Sequence, residues 1–104
     1  LHTASPGETG TQATSETPYS FYTRVSVARS GSGWTTVGNT ADNIAAINFS
    51  TVGTTASTLT DFGIGNSITG AAALYLYGAL TTTLVASTGV APSFAIGALD
   101  VTLD

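Results

Sequence analysis

The chain is predicted to be an all-β domain, and three features of its sequence predict it. Short runs of alternating apolar and polar residues recur at about 8–12-residue spacing. Glycine-bearing turns separate them, and threonine, a favoured residue on pleated surfaces, is spread along the whole length. Seven or eight such strands suggest an antiparallel β-sandwich or jelly roll with an extended N-terminal arm.

Residues 1–18, LHTASPGETGTQATSETP, hold both glutamates, two prolines and many small polar residues. They read as an arm or long loop, either disordered or ordered on a neighbouring subunit, leaving 19–104 as the sandwich domain. From Phe21 to Arg29 the period is two, with Phe21, Thr23, Val25 and Val27 on one face and Tyr22, Arg24 and Ser26 on the other. This is the clearest strand. SGSG at 30–33 turns the chain, Trp34 to Val37 is a short strand, and Gly38-Asn39 is a turn dipeptide.

In ADNIAAINFS at 41–50, Asp42 would cap a short helix, while Ala45, Ile47 and Phe49 alternate as a strand. The strand is the expectation. TVGTTAST at 51–58 is loop, Leu59 to Ile64 a strand, and GNSITGA at 65–71 a turn-rich connection. AALYLYGAL at 72–80 reads as a strand with a bulge or kink at Gly78, with Leu74, Leu76 and Leu80 opposite Tyr75 and Tyr77; a helix is its rival. Thr83–Ser87, Ser93–Ile96 and Ala98–Leu103 complete the set, and the chain ends inside a strand.

A chain of 104 residues builds one modest core. Without cysteine, that core has no disulfide and no thiolate metal site to support it. Charged residues are 8% of the chain against about 25% in ordinary domains, and the only cations are Arg24 and Arg29. Free β-proteins guard their edge strands with charge or proline. Here that protection is nearly missing, so the edges are expected to be covered by partners.

A net charge of −4 with two cations excludes the clustered basic field that nucleic acid requires. No apolar run reaches the ~18 residues of a membrane span, and no signal peptide is legible. Leu1 is not an initiator methionine, so a trimmed or incomplete N-terminus is expected.

Catalysis is not expected. The only histidine is His2, and Asp42, Asp61, Asp100 and Asp104 show no spacing that pairs them as acid and base. FGIGNSITG lacks the lysine and following helix of a phosphate loop. Metals and cofactors are likewise not expected. The candidate contact residues are Tyr19, Tyr22, Trp34, Tyr75 and Tyr77, as a subunit interface of tyrosines around a core Trp34 or a sugar-stacking platform, and Arg24 and Arg29, as bidentate partners of a neighbour's carboxylates or, for each alone, as an intramolecular pair or a solvated guanidinium.

LHTASPGETGTQATSE at 1–16, FYTRVSVAR at 21–29, SGSGWTTVGNTADNIAAINF at 30–49, TDFGIG at 60–65, LYLYGAL at 74–80 and GVAPSFAIGALDVT at 89–102 are the segments that carry a resemblance. In this order they resemble a family of small tailed-bacteriophage virion structural proteins, tail-fibre-like or capsid cement-like. Relatives carry a few residues ahead of Leu1, and a Tyr-Thr-Gly-Tyr-Ala-Arg-Val run where this chain has Tyr19 to Val25, so the family's glycine kink is expected to be lost here. The resemblance implies a virion structural protein without catalytic residues. The favoured expectation is a capsid cement or decoration protein on the capsid surface, a homo-oligomer with a trimer favoured, clamping the major capsid protein or other virion proteins through its arm. The alternative is a tail-fibre or host-adhesion module that presents aromatics to glycans.

Overall fold

The computed structural model describes residues 1–103, and among these no helix forms. Seven strands follow in order: β1 (Trp34–Val37), β2 (Thr40–Asn43), β3 (Ile47–Asn48), β4 (Ser57–Gly65), β5 (Leu74–Ala86), β6 (Ser93–Phe94) and β7 (Asp100–Thr102). All pairing is antiparallel, as the all-β expectation requires. The strands form three small sheets, ordered β1-β2-β7, β3-β6 and β4-β5, where a sandwich or jelly roll would gather them into two opposed sheets.

The turn chemistry acts as the sequence predicts. Gly38 sits at φ +61°, the value that the first residue of a two-residue hairpin turn requires, and it joins β1 to β2 with Trp34 opposite Asn43. The 41–50 region is extended rather than helical but splits at Ile44–Ala46 into β2 and β3. The two strands expected over 72–80 and 83–87 are one continuous β5 of 13 residues. Its register against β4 shifts between Leu59 and Asp61 and between Ile64 and Gly65, so the irregularities lie at these points and not at Gly78, which pairs with Phe62.

The main correction concerns residues 21–29. They belong to no strand, and Phe21, at φ +71°, is 75% exposed. A left-handed residue at the head of the run shifts the faces that simple alternation assigns. Tyr22 and Arg24 turn inward instead of Phe21.

The core is built on Leu1, Tyr19, Val52, Leu59 and Ala86, with Leu59 fully buried. Rings continue it: Tyr19, Tyr22, Phe49, Phe94 and Phe62 follow one another at centroid separations of 5.2, 6.1, 6.3 and 5.9 Å. Such pairs contribute about 0.5–1.5 kcal/mol each beyond area burial.

Residues 1–18 form a loop folded back over the chain's own β4, not an arm that leaves the domain. His2 pairs with Asp61 along the outer edge of β4, its N–H donating to the Asp61 carbonyl at 2.9 Å, and it also bridges to Glu16. Gly63 makes room for it: a Cβ there would lie 2.7 Å from His2 Nε2 and 2.6 Å from Leu74 Cδ1. Further along, Gln12 grips the 65–71 turn, donating from Nε2 to the Ser67 carbonyl and accepting the Ser67 N–H, both at 3.0 Å.

A buried amide joins the other elements. Asn43, 1% exposed, donates from Nδ2 to the carbonyls of Ala45 (2.7 Å) and Ala95 (2.8 Å), and its Oδ1 accepts the Leu99 N–H at 2.9 Å. Its main-chain carbonyl accepts from Gly97 at 2.8 Å.

Two predictions follow from this packing. Asn43→Ala leaves the Ala45 carbonyl and the Leu99 N–H without partners, while the Ala95 carbonyl keeps the Ala98 N–H at 3.1 Å, and is expected to destabilise the fold by about 3 kcal/mol. A urea midpoint shift with unchanged slope measures it, and a change under roughly 0.5 kcal/mol would refute the role. His2 is also informative. Burial lowers its imidazole below the ordinary 6.5, opposed by the Thr14 carbonyl that Nδ1 bonds at 2.8 Å. The unfolded chain therefore takes up the proton first as pH falls, so the His2 contribution is complete above 6.5 and declines from there towards the lower folded value. Thermal midpoints measured from neutral pH to about pH 5 are expected to fall more steeply for the native chain than for His2→Asn. Parallel curves would exclude His2 as the cause.

Candidate functional site

Between the 22–29 segment, the inner face of the β1-β2-β7 sheet and the near end of the β4-β5 ribbon lies an open cleft of about 620 Å³. Val25, Val27, Trp34, Phe62, Leu76 and Val101 contribute apolar wall. Native interiors pack to crystal-like density, so an opening of this size lies outside the packed core.

One rim of the cleft is backbone. Residues 23–28 run without turn or bend and Arg29 enters a bend, yet none of the main-chain N–H or C=O groups of 23–29 has a hydrogen-bond partner among the described residues. They are fastened at both ends. Arg24 forms a bidentate pair with Glu16, Nε to Oε1 at 2.6 Å and Nη2 to Oε2 at 2.7 Å, and donates onward to the carbonyls of Gly70 (2.9 Å) and Ser67 (3.3 Å). The Glu16 hydrogen bonds raise the guanidinium's pKa above its ordinary value, against an opposing effect of burial. At the far end the backbone of Gly33 lies directly against the Ala28 carbonyl and the Val27 side chain, an approach that only glycine allows.

A second unpaired edge runs along β5. One side of this strand is occupied by β4. Its other side has no backbone partner from Leu74 to Leu84 among the described residues, whereas the outer edge of β4 is partly covered by His2. LYLYGALTTTLVA carries neither charge nor proline, so none of the usual guards against strand addition is present.

The carboxylates meet in one unexpected place. Asp42 and Asp100 stand directly opposite each other across β2 and β7. Hydrogen bonding to Asp100 raises the Asp42 carboxyl above its ordinary 3.8, with burial and the neighbouring charge acting in the same direction. Asp42 Oδ1 is buried and has no hydrogen-bond partner. Asp100 also borders a hollow of about 180 Å³ alongside Ala79, Leu80 and Thr81 of β5.

The seven candidate contact residues separate into groups. Tyr19 and Tyr22 are internal: the Tyr19 hydroxyl donates to the Ser50 carbonyl at 3.0 Å, and burial raises the Tyr22 hydroxyl's pKa. Arg24 is consumed by Glu16 within the chain. Trp34 is half-buried in the cleft with Tyr75 at its margin, while Tyr77 is exposed elsewhere on β5, so the rings do not form one platform. Arg29 is exposed and has no carboxylate partner among the described residues. Sequence reasoning missed Asn43, whose only signal is an asparagine in a strand, where this residue is depleted. It also missed the Asp42–Asp100 pairing, which depends on a register that no spacing reveals.

No curated protein and no solved structure matches the chain. A family model does, the one described as Podophage GP4 fiber I protein gp80, and it matches residues 1–102. With nearly its whole length covered, the chain belongs to this family of phage fibre proteins and is a bacteriophage virion structural protein.

Proposed function

We propose that the chain is a subunit of a podophage tail fibre, held in the particle by contacts with other virion proteins. The observation that carries this reading is the family match over residues 1–102, which favours the fibre over the capsid-decoration role that the sequence suggested first. The structure supports the same choice. A cement protein was expected to clamp the shell with a projecting N-terminal arm, and residues 1–18 instead lie on the chain's own β4.

The surface available for docking is the cleft rim and the free side of β5. Tyr75 is 57% exposed and Val85 62% exposed on that strand, and aromatic and apolar side chains of this kind are enriched where subunits meet. The work of such a subunit is mechanical and positional. The expected result in purified particles is an antibody label confined to the tail, with a copy number of a few dozen or fewer by densitometry. Hundreds of copies spread over the shell would overturn the fibre assignment and restore the decoration role.

A further inference from the structure

We infer that copies of this chain assemble by strand addition, the unpaired 23–29 segment of one copy pairing with the free edge of β5 in the next and its Arg29 closing on the neighbour's Asp42–Asp100 pair. The inference concerns contacts between copies and does not depend on where in the virion the protein sits.

Backbone accounting comes first. Residues 23–29 present a row of donors and acceptors without partners, and Leu74 to Leu84 present another along one side of β5. Extended segments in such a state are templates for one another. The lengths agree, since the six residues 23–28 span roughly 20 Å before the bend at Arg29 and β5 about 43 Å. The segment's alternating Thr23, Val25 and Val27 suit a pleated neighbour, and β5 has no charge to repel it.

Charge identifies the occupant as a second copy. The chain holds two cations, and Glu16 takes Arg24. Arg29, at the end of the unpaired segment, has no partner, while Asp42 and Asp100 face each other with a buried oxygen that lacks a donor. A guanidinium offers five N–H donors in the fork geometry that carboxylates accept. Asp100 lies beside Ala79–Thr81, so a segment laid along β5 brings Arg29 within the region of the acidic pair. What each copy lacks, another copy supplies. The two surfaces differ, so the contact is head-to-tail, and a closed ring is the arrangement that satisfies every copy.

The test uses the full chain. Sedimentation velocity is expected to show a concentration-dependent oligomer; a monomer at every accessible concentration overturns the inference. Arg29→Asp and Asp100→Arg are each expected to weaken association by about 30-fold or more, and the double variant, or a mixture of the two singles, to restore it. Val25→Pro removes a donor that the single chain leaves unpaired. It is expected to abolish association while circular dichroism and the melting midpoint remain those of the native chain. Association that survives all three single variants overturns the inference. With Arg24 clamped and lysine absent, trypsin should cut the dissociated chain after Arg29 and spare the oligomer; cutting at equal rates in both states would also overturn it.

Discussion

Asn43 joins sheets that share no backbone ladder, and the arrangement of the chain depends on it. Its carboxamide leaves the end of β2 and satisfies main-chain groups just before β3, just after β6 and just before β7. A protein divided into sheets of three, two and two strands has many strand ends and few ladders to absorb their polar groups. Each such group left dry and unpaired costs about 1–3 kcal/mol, as much as a large part of a small domain's net stability. One buried amide therefore does here what a longer shared strand does in a larger sheet. The aromatic series from Tyr19 to Phe62 then fills the space that these junctions enclose.

Much of the fold was legible because turn and strand chemistry is local. The Gly38-Asn39 hairpin, the strand from Leu59 to Ile64 and the turn-rich 65–71 connection follow from glycine, branched residues and alternation within a few positions. β5 was read as two strands because Thr81, Thr82 and Thr83 interrupt the apolar alternation. In an exposed ribbon that interruption has no cost, since neither face of the strand is fully covered. Residues 21–29 failed for a different reason. Alternation reports that a segment is pleated, and it carries no information on whether a partner lies within the same chain.

A free sheet edge was legible in kind and not in position. Scarcity of charge pointed correctly to an undefended edge, and the structure locates one on β5. Aromatic content did not say which rings face outward. Tyr22 went to the core as Phe21, in a left-handed conformation, turned outward, and Tyr19, ahead of it, is buried against Tyr22 with its hydroxyl on the Ser50 carbonyl. The Arg24–Glu16 pair joins residues eight apart in a loop without helical periodicity, so nothing in their spacing announced it.

That pair has one more consequence. It is the sole ion pair among the described residues, and its side chains are only 11% and 22% exposed. Mobile ions screen charges that water surrounds, with a Debye length of about 8 Å at physiological ionic strength, and they reach desolvated pairs poorly. Screening by dissolved salt therefore leaves the Arg24–Glu16 clamp largely intact, and with it the seat of the 1–18 loop against the 23–29 segment.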